Sequence, residues 1–355
     1  MVQIFSQTAA IPDSGRQAIR AEEAGWDGLS FVDSQNLSGD VYVALTTAAL
    51  ATESLRVSTG VTNPVTRHPA VAAGAAASVQ AVSRGRMSLA LGRGDSALAH
   101  LGRAPARVND FERYLAVVQA YLRGESIPFD ELDFGEAVAP PVDSLELAAT
   151  AAESAIAWLP NRHPKVPVEV AATGPRVIAA AARHADRILF ALGAQPERIR
   201  WGIDTARAAR LDAGLDPDGI SVGAYVNVAP YADVTVARDI VRGGLSTFAR
   251  FSVMHGEVIG PVSEHQAEVM RGLHDAYDMR AHTRTDSGQA SLLDDEFVDA
   301  YAVVGDPDTC VERLRRLIDL GVDKLVVVGG TAGVDRDTMA ASAELMATEV
   351  LPHLH

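Results

Sequence analysis

Short β-rich segments alternate with helical segments along almost the whole chain, and few folds accommodate such a pattern. Eight segments have the character of strands, and a helical pattern follows each of them. The predicted strands are Val2–Ala9, Gly28–Val32, Arg56–Gly60, Arg86–Leu91, Val166–Ala172, Arg187–Leu192, Ser221–Val228 and Lys324–Val328. Strands that alternate with helices pair in parallel through right-handed crossovers, and eight such units close a barrel. The sequence therefore predicts an α/β fold, a (β/α)8 TIM barrel with insertions.

Two stretches interrupt this alternation, at about residues 124–164 and 256–296. The first is rich in proline and contains a predicted helix at Asp143–Ala157. The second contains a predicted helix at His265–Ala281, followed by the polar run His282–Gln289, which we expect to be disordered. Both fall between barrel elements, where an excursion of the chain is placed to cover a site.

Length and composition limit what such a barrel does. The 355 residues fit one barrel domain, so we expect residues 1–355 to form a single domain that carries both insertions. The 31 basic and 46 acidic side chains give a net charge of −15, which repels phosphate backbones and anionic lipids. We therefore expect neither a nucleic acid nor a membrane as a partner.

Cysteine and histidine usage point to the cytoplasm and away from a metal enzyme. Cys310 is the only cysteine, so an internal disulfide or a thiolate metal cluster cannot form. None of the ten histidines lies at metal-ligand spacing from another histidine or from acids, so we predict no metal site. The first residues lack the basic and long apolar segments of a secretory signal. The predicted location is cytoplasmic.

Glycines and polar residues follow four of the predicted strands. These segments are Asp33–Asn36, Gly60–Pro64, Gly92–Ser96 and Ala172–Arg176. Active sites of TIM barrels lie where strands run into the following helices, so we expect the four segments to meet at one rim. No serine-hydrolase elbow, phosphate loop or dinucleotide fingerprint follows a strand, which argues against those chemistries.

The segment after the fifth predicted strand has the clearest mechanism for binding an anion. Thr173 and Gly174 precede Pro175 at a helix start, where free backbone N–H groups and the helix dipole favour a phosphate. Gly174 permits close approach, and Arg176 adds positive charge. An ordinary helix start with proline at its first position is the alternative.

Two acidic residues are candidates for chemistry, each with a structural alternative. Asp95 follows the flexible Gly92-Arg93-Gly94 turn, and its carboxylate either serves a site or caps the next helix. Asp33 either faces a ligand or is a buried carboxylate satisfied by its neighbours.

An alanine-rich helix near Ala70–Ala81 has a nearly smooth surface, which packs closely either on the barrel or on a second subunit. We predict a homodimer.

Two segments together resemble a known family. Residues 60–69 (GVTNPVTRHP) and 83–95 (SRGRMSLALGRGD) are similar to the bacterial luciferase-like superfamily. Within it they most resemble the group of methylenetetrahydromethanopterin reductases that use the deazaflavin coenzyme F(420). Supporting segments are 21–28 (AEEAGWDG), Ala172–Pro175, 302–307 (AVVGDP) and 320–323 (LGVD). The similarity runs from about Gln3 to the C-terminus and is weakest in the two insertions.

The resemblance implies a flavin-type ring in the barrel mouth. Thr173 and Gly174, with Pro175 and Arg176 in the same turn, would hold its phosphate. The residues that would flank the ring are Asp33, Thr62, Asn63, Gly92 and Arg93. The Gly60–Val61 bond would match a non-prolyl cis peptide that supports the ring. Asp95 falls at the position of an acidic catalytic residue in a relative.

The resemblance also sets the expected reaction. We predict an F(420)-dependent oxidoreductase that transfers a hydride between the coenzyme (an 8-hydroxy-5-deazaflavin) and a small organic substrate, with Asp95 or Asp33 as acid or base. The sequence departs from the reductase pattern at Ser6 and Ser34, so the reductase's own reaction is not carried over. The alternatives are a reduced-FMN monooxygenase and a cofactor-free barrel that acts as a binding subunit.

Overall fold

A computed structural model describes residues 2–132, 139–159 and 163–355. The strands are β1 Gln3–Ala9, β2 Gly28–Val32, β3 Arg56–Thr59, β4 Met87–Leu91, β5 Ile127–Pro128, β6 Glu153–Ser154, β7 Val168–Ala172, β8 Arg187–Phe190, β9 Ser221–Pro230, β10 Val303–Gly305 and β11 Lys324–Val328. The α-helices are α1 Ser14–Glu23, α2 Val41–Ala51, α3 Pro69–Val82, α4 Ser96–Ala99, α5 Val108–Arg123, α6 Pro175–His184, α7 Pro196–Asp212, α8 Val234–Phe251, α9 Glu264–Ala276, α10 Asp295–Tyr301, α11 Pro307–Ile318 and α12 Arg336–Leu345.

Eight of these strands close a parallel barrel, as the alternation predicted. Their order is β1, β2, β3, β4, β7, β8, β9 and β11, and β11 pairs with β1 to close the ring. Side chains on both faces of β4 and β11 are buried, which explains their nearly continuous apolar sequences. The (β/α)8 fold is confirmed. The short strand β10, which the sequence did not predict, pairs with the end of β9.

Helix starts follow from local hydrogen bonding. The Asp40 carboxylate accepts from the backbone N–H groups of Tyr42 and Val43 at 2.8 and 3.2 Å, and so begins α2. Ser263 and Gln266 form a reciprocal capping box at the start of α9. These caps fix where each helix leaves the rim of the barrel.

The interior of the barrel holds a small apolar cluster below the rim. It consists of Phe5, Ala90, Leu189, Tyr225, Val326 and Val328. A larger apolar cluster fills the space between the barrel and its helices. The inner cluster is therefore the floor on which any site at the carboxyl ends of the strands rests.

The first insertion differs from its predicted structure. In place of a helix at Asp143–Ala157, the chain has a single 3-10 turn at Val142–Leu145 and the short strand β6, which pairs with β5. Leu145 and Leu147 are exposed, so there is no packing of apolar side chains to stabilise a helix there. Residues 133–138 and 160–162 of this insertion lie outside the described residues.

The second insertion is more ordered than predicted. Its helix α9 ends at Ala276, and the run expected to be disordered is packed. Gln289 is buried, and its Nε2 donates to the carbonyl groups of Asp278 and Ala281 at 3.2 and 3.1 Å. The Thr285 N–H donates to the Ala332 carbonyl at 2.9 Å. The expectation of disorder was wrong because the hydrogen bonds of the buried Gln289 hold the segment in one conformation.

Candidate functional site

A cavity of about 410 Å³ opens at the rim formed by the carboxyl ends of the barrel strands. All four polar segments that follow predicted strands contribute to its lining. The predicted site residues that line it are Asp33, Gly60, Val61, Asn63, Gly92, Arg93, Asp95, Thr173 and Gly174. The volume suits a small-molecule ligand.

Three of the predicted site residues do not line this cavity. Thr62 is fully buried, and its backbone joins β3 to β4 through hydrogen bonds with Ala90 and Gly92. Pro175 and Arg176 are exposed at the first turn of α6, where the Arg176 guanidinium donates to Asn109 Oδ1 at 3.2 Å. These residues therefore support the rim from outside the cavity.

The segment after β3 is shaped by close backbone packing. The Gly60–Val61 peptide bond is cis, as the resemblance implied. Gln7 Nε2 donates to the Gly60 carbonyl at 2.9 Å. A Cβ atom on Gly60 would overlap the Ser30 hydroxyl, and one on Gly92 would lie 2.8 Å from Val61 Cγ2. Both positions therefore require glycine.

Asn63 presents an unused hydrogen-bond donor. Its Oδ1 accepts from the N–H groups of Val65 and Thr66 at 3.1 and 3.0 Å, which fixes the amide. Its Nδ2 is buried and has no hydrogen-bond partner in the described part of the chain. Asn63 lines the cavity, so this unsatisfied donor lies in its wall.

The Thr173–Gly174 turn leads into α6 and forms the positive side of the cavity. The helix dipole favours an anion there, whereas Val177 and Ile178 already donate their N–H groups to the Gly174 carbonyl at 3.0 and 2.9 Å. Arg93 lines the same side, and burial followed by the neighbouring Arg176 lowers the pKa of its guanidinium. A Cβ atom on Gly174 would lie 3.4 Å from Ile259 Cδ1, so a single methyl group would fit there in van der Waals contact.

Asp33 is buried in an ion pair at the edge of the cavity. Arg67 Nη1 donates to its carboxylate, and Gln35 Nε2 donates to its Oδ1 at 2.8 Å. Arg67 also donates to Asp40 at 2.9 Å. Burial alone would lower the pKa of Arg67, but Asp33 raises it above its ordinary value. This pairing favours the structural alternative for Asp33.

Asp95 is also ion-paired, and it does not cap a helix. Its carboxylate accepts from Arg250 on α8 and makes no side-chain hydrogen bond to the start of α4. The Arg250 guanidinium lies 4.5 Å from the ring centre of Tyr277. The structure therefore replaces the helix-cap alternative with a salt bridge across the rim.

The sequence prediction named no residue on one face of the cavity, although it expected the second insertion to cover a site. This face is formed by α8 with the following turn, and by the second insertion, which contribute Phe248, Phe251, Met254 and His282. His282 Nδ1 lies 2.8 Å from the Tyr277 hydroxyl. Burial, followed by the charges of Arg250 and His100, lowers the pKa of His282 to about 4. Two features of the sequence point to this face, the apolar stripe of α8 and the position of the second insertion between barrel elements.

Metal ligands and membrane spans are the two other features considered for function in a chain of this kind. Across the described ranges, no group of three or more His, Cys, Asp or Glu side chains is arranged to hold a metal ion. Within the same ranges, no helix combines the length and the apolar character needed to cross a bilayer.

Comparison with known proteins identifies the family. The model of the luciferase-like monooxygenase family matches residues 3–324, so the chain belongs to this family. The 5,10-methylenetetrahydromethanopterin reductase of Methanolobus tindarius is 26% identical over 326 residues, which cover 89% of this chain and 90% of that protein. The chain is therefore an enzyme, a luciferase-like oxidoreductase.

Solved structures share the whole fold. The coenzyme F(420)-dependent tetrahydromethanopterin reductase of Methanopyrus kandleri superimposes with a TM-score of 0.71 at 21% identity, over 100% of this chain and 99% of that one. A type II Baeyer–Villiger monooxygenase, the oxygenating constituent of 3,6-diketocamphane monooxygenase from Pseudomonas putida in complex with FMN, gives 0.64 at 16% identity, over 100% and 99%. At these identities the likeness shows the barrel fold.

Proposed function

We propose that this luciferase-like enzyme holds the deazaflavin coenzyme F(420) in the barrel mouth and transfers a hydride between the coenzyme and a small organic substrate. One observation carries the proposal. A single cavity has the unpaired Asn63 Nδ2 on one wall and the Thr173–Gly174 turn with Arg93 on its positive side. A buried donor and an anion-binding turn on one cavity are what a ring with carbonyl groups and a phosphate arm requires.

The residues present fit such a group. Asn63 would donate to a ring carbonyl, and the backbone of Gly174 would hold the phosphate with help from Arg93. The Gln7 side chain donates to the Gly60 carbonyl and so fixes this part of the wall. The buried Tyr225 ring forms part of the cavity floor and keeps water out on that side. The bound coenzyme would supply the carbon that gives or takes the hydride. The chain's own part is to bind, to orient and to keep the site dry.

The choice between F(420) and FMN rests on the relatives. The methylenetetrahydromethanopterin reductase that matches most of this chain, and the F(420)-dependent reductase structure that shares its fold, favour the deazaflavin. FMN, with reduced-FMN monooxygenase activity, is the alternative, since the FMN-bound monooxygenase has the same fold. A cofactor-free binding subunit remains the third hypothesis.

Side-by-side titration of the coenzyme-free protein with F(420) and FMN tests the proposal. We expect F(420) to bind and FMN to bind more weakly. Gly174→Val should weaken F(420) binding by about tenfold or more, or about 1.4 kcal/mol per tenfold, because the branched side chain blocks backbone approach. Gly174→Ala is the matched control, since a lone Cβ has 3.4 Å to Ile259.

Any other outcome of the titration would favour a different function. Tighter binding of FMN would favour the monooxygenase. Binding of neither ligand would leave the cofactor-free subunit, and unchanged affinity in folded Gly174→Val would place the phosphate elsewhere.

We propose that the chain forms a homodimer through the apolar faces of α2 and α3. Several alanines of α3 are buried against the chain's own barrel, among them Ala72, Ala73 and Ala76. Leu50 and Val43 on α2 and Val71 on α3 remain 71%, 64% and 58% exposed. A second copy of the chain would cover them, which sedimentation velocity on the wild-type protein tests.

A further inference from the structure

The cavity has two chemically different faces, and the proposed coenzyme accounts for only one of them. The other face is apolar and aromatic. Tyr225 and Phe248 have ring centres 5.6 Å apart, and those of Phe248 and Phe251 are 5.5 Å apart. Met254 lines the same cavity. A ligand part that packs here gains most by being apolar.

The charges beside this apolar face are already paired. Arg250 and Asp95 form an ion pair with side chains only 12% and 18% exposed. The Arg250 guanidinium also rests on the Tyr277 ring at 4.5 Å. An anionic substrate would have to break this pair and leave the Asp95 carboxylate without its partner. The pairing therefore selects against a phosphate or carboxylate on the substrate.

One polar group on this face is oriented by its own hydrogen-bond chain. The Tyr277 hydroxyl lies 3.0 Å from Thr247 Oγ1 and 2.8 Å from His282 Nδ1. When Tyr277 donates to Nδ1, the imidazole hydrogen resides on Nε2, which can then donate to a carbonyl oxygen; in the other tautomer Nδ1 donates to Tyr277, and Nε2 can accept from an alcohol hydroxyl. No hydrogen bond involves this Nε2 within the part of the chain that the structure describes. Because burial lowers the pKa of His282 to about 4, the ring is neutral near pH 7.

We propose that the substrate is an uncharged, largely apolar ketone or aldehyde, or the corresponding alcohol, whose oxygen atom is bound by His282 Nε2. Its hydrocarbon part packs on Phe248, Phe251 and Met254. This assignment rests on the proposed function, because a hydride exchanges with the carbon of a carbonyl or alcohol. It adds the substrate class and a specificity-determining residue contributed by the second insertion.

A pair of fluorinated probes of the same size tests the substrate class. 4-Fluoroacetophenone is neutral, and 4-fluorobenzoate differs mainly in its charge. Binding of each to the F(420)-saturated protein is measured by fluorine NMR line broadening, with saturation verified by coenzyme fluorescence. We expect the ketone to bind about tenfold or more tightly than the carboxylate, because burying an unpaired charge is costly. Equal or tighter binding of benzoate would overturn the assignment.

Three variants test the role of His282. His282→Asn removes the group at the Nε2 position, and His282→Gln returns an amide donor close to it. Tyr277→Phe removes only the orienting hydroxyl. We expect His282→Asn to weaken ketone binding by about three- to tenfold, the range of one hydrogen bond, and His282→Gln to recover part of it. Tyr277→Phe should give an intermediate loss, and none of the three should change coenzyme affinity.

The outcomes separate this assignment from the proposed function. Equal ketone affinity in His282→Asn and wild type, with melting temperatures unchanged, would overturn the role of His282. The probe comparison is repeated on coenzyme-free protein. A preference for the ketone without any F(420) binding would overturn the proposed function and retain the neutral, apolar ligand class.

Discussion

Both ends of the barrel interior hold buried charged residues, but they use them differently. At the amino end, Glu169 accepts from Lys324 at 2.7 Å and from Arg187 at 2.6 Å, and Arg187 reaches Asp323 at 2.9 Å. At the carboxyl end, the Asp33–Arg67 and Asp95–Arg250 pairs border an open cavity of about 410 Å³. The lower charges form a closed network, whereas the upper ones border a cavity with unpaired donors.

This difference distinguishes the buried charges that stabilise the barrel from the ion pairs that border the candidate site. Burial opposes the charge of Glu169, but Lys324 and then Arg187 hold its pKa below the ordinary value. The pairing offsets only part of the cost of burial, because burial still lowers the pKa of Lys324 against the opposing effect of Glu169. At the upper end, Asn63 Nδ2 is buried and lacks a partner in the described structure. This division matches the general separation of stability and function between the two ends of TIM barrels.

The largest effect is expected at the lower end. Glu169→Gln leaves the Lys324 ammonium, which is 1% exposed, without its carboxylate. The free energy of unfolding should fall by about 3–5 kcal/mol, as for one broken partner of a buried pair. Urea unfolding measures this loss, and coenzyme affinity of the folded protein should not change.

An exposed ion pair gives the control for this variant. Glu312 and Arg316 on α11 are 64% and 61% exposed, so Glu312→Gln should cost less than about 1 kcal/mol. Equal losses in the two variants would contradict the structural role of the lower network, as would a loss of coenzyme binding in Glu169→Gln.

The sequence predicted the barrel and four segments of its rim because both depend on local patterns. Strand–helix alternation and glycines at strand ends are visible within a few residues of one another. The ion pairs are not, since Lys324 and Glu169 are 155 positions apart, as are Arg250 and Asp95. Only the closed fold brings such partners together, so the sequence left open whether Asp95 caps a helix.

The next effect concerns Asp95 at the upper end. If Asp95 transfers a proton, Asp95→Asn should lower coenzyme-dependent turnover of a ketone by roughly 10²–10⁴. Arg250→Gln and the double variant Asp95→Asn with Arg250→Gln complete a double-mutant cycle. A proton-transfer role requires the double variant to be as slow as Asp95→Asn, with Arg250→Gln less affected.

The opposite pattern would identify Asp95 as a positioning residue. In that case Arg250→Gln is as slow as Asp95→Asn, and the double variant is no slower than either. The free energy of unfolding distinguishes a structural role of the Asp95–Arg250 ion pair from a role of Asp95 in proton transfer. Asp95→Asn should cost about 1–3 kcal/mol because it leaves Arg250 unpaired, and the double variant should recover part of it.

The aromatic face and His282 escaped prediction for a different reason. The polar run after α9 has the composition of a disordered loop, and composition does not show that Gln289 is buried. Alanines within Asp143–Ala157 similarly favoured a helix where no surface exists for it to pack on. Local propensity fails in both insertions because tertiary contacts decide their structure.

The smallest effect is a pH dependence that should arise at the upper end alone. His282 has a pKa of about 4 in the folded chain, lowered from 6.5 by burial and then by Arg250 and His100. Between pH 6.5 and 4 the unfolded chain binds a proton that the folded chain does not, so stability falls as the pH falls through this window. The difference of about 2.5 pH units limits the loss to about 3 kcal/mol. The Tyr277 hydroxyl, 2.8 Å from Nδ1, is a further titratable group beside the ring.

The lower network does not contribute in the upper part of this window. The pKa of Glu169 lies below its ordinary value of 4.5, so its stabilisation is present above pH 4.5 and is lost only below that value. The difference in unfolding free energy between wild type and His282→Gln should therefore change by about 1–3 kcal/mol from pH 7 to pH 4.5. The same difference for Glu169→Gln should stay constant. Parallel pH profiles for wild type and His282→Gln would show that His282 titrates like an exposed histidine, and the neutral imidazole assigned to the substrate face would then be wrong.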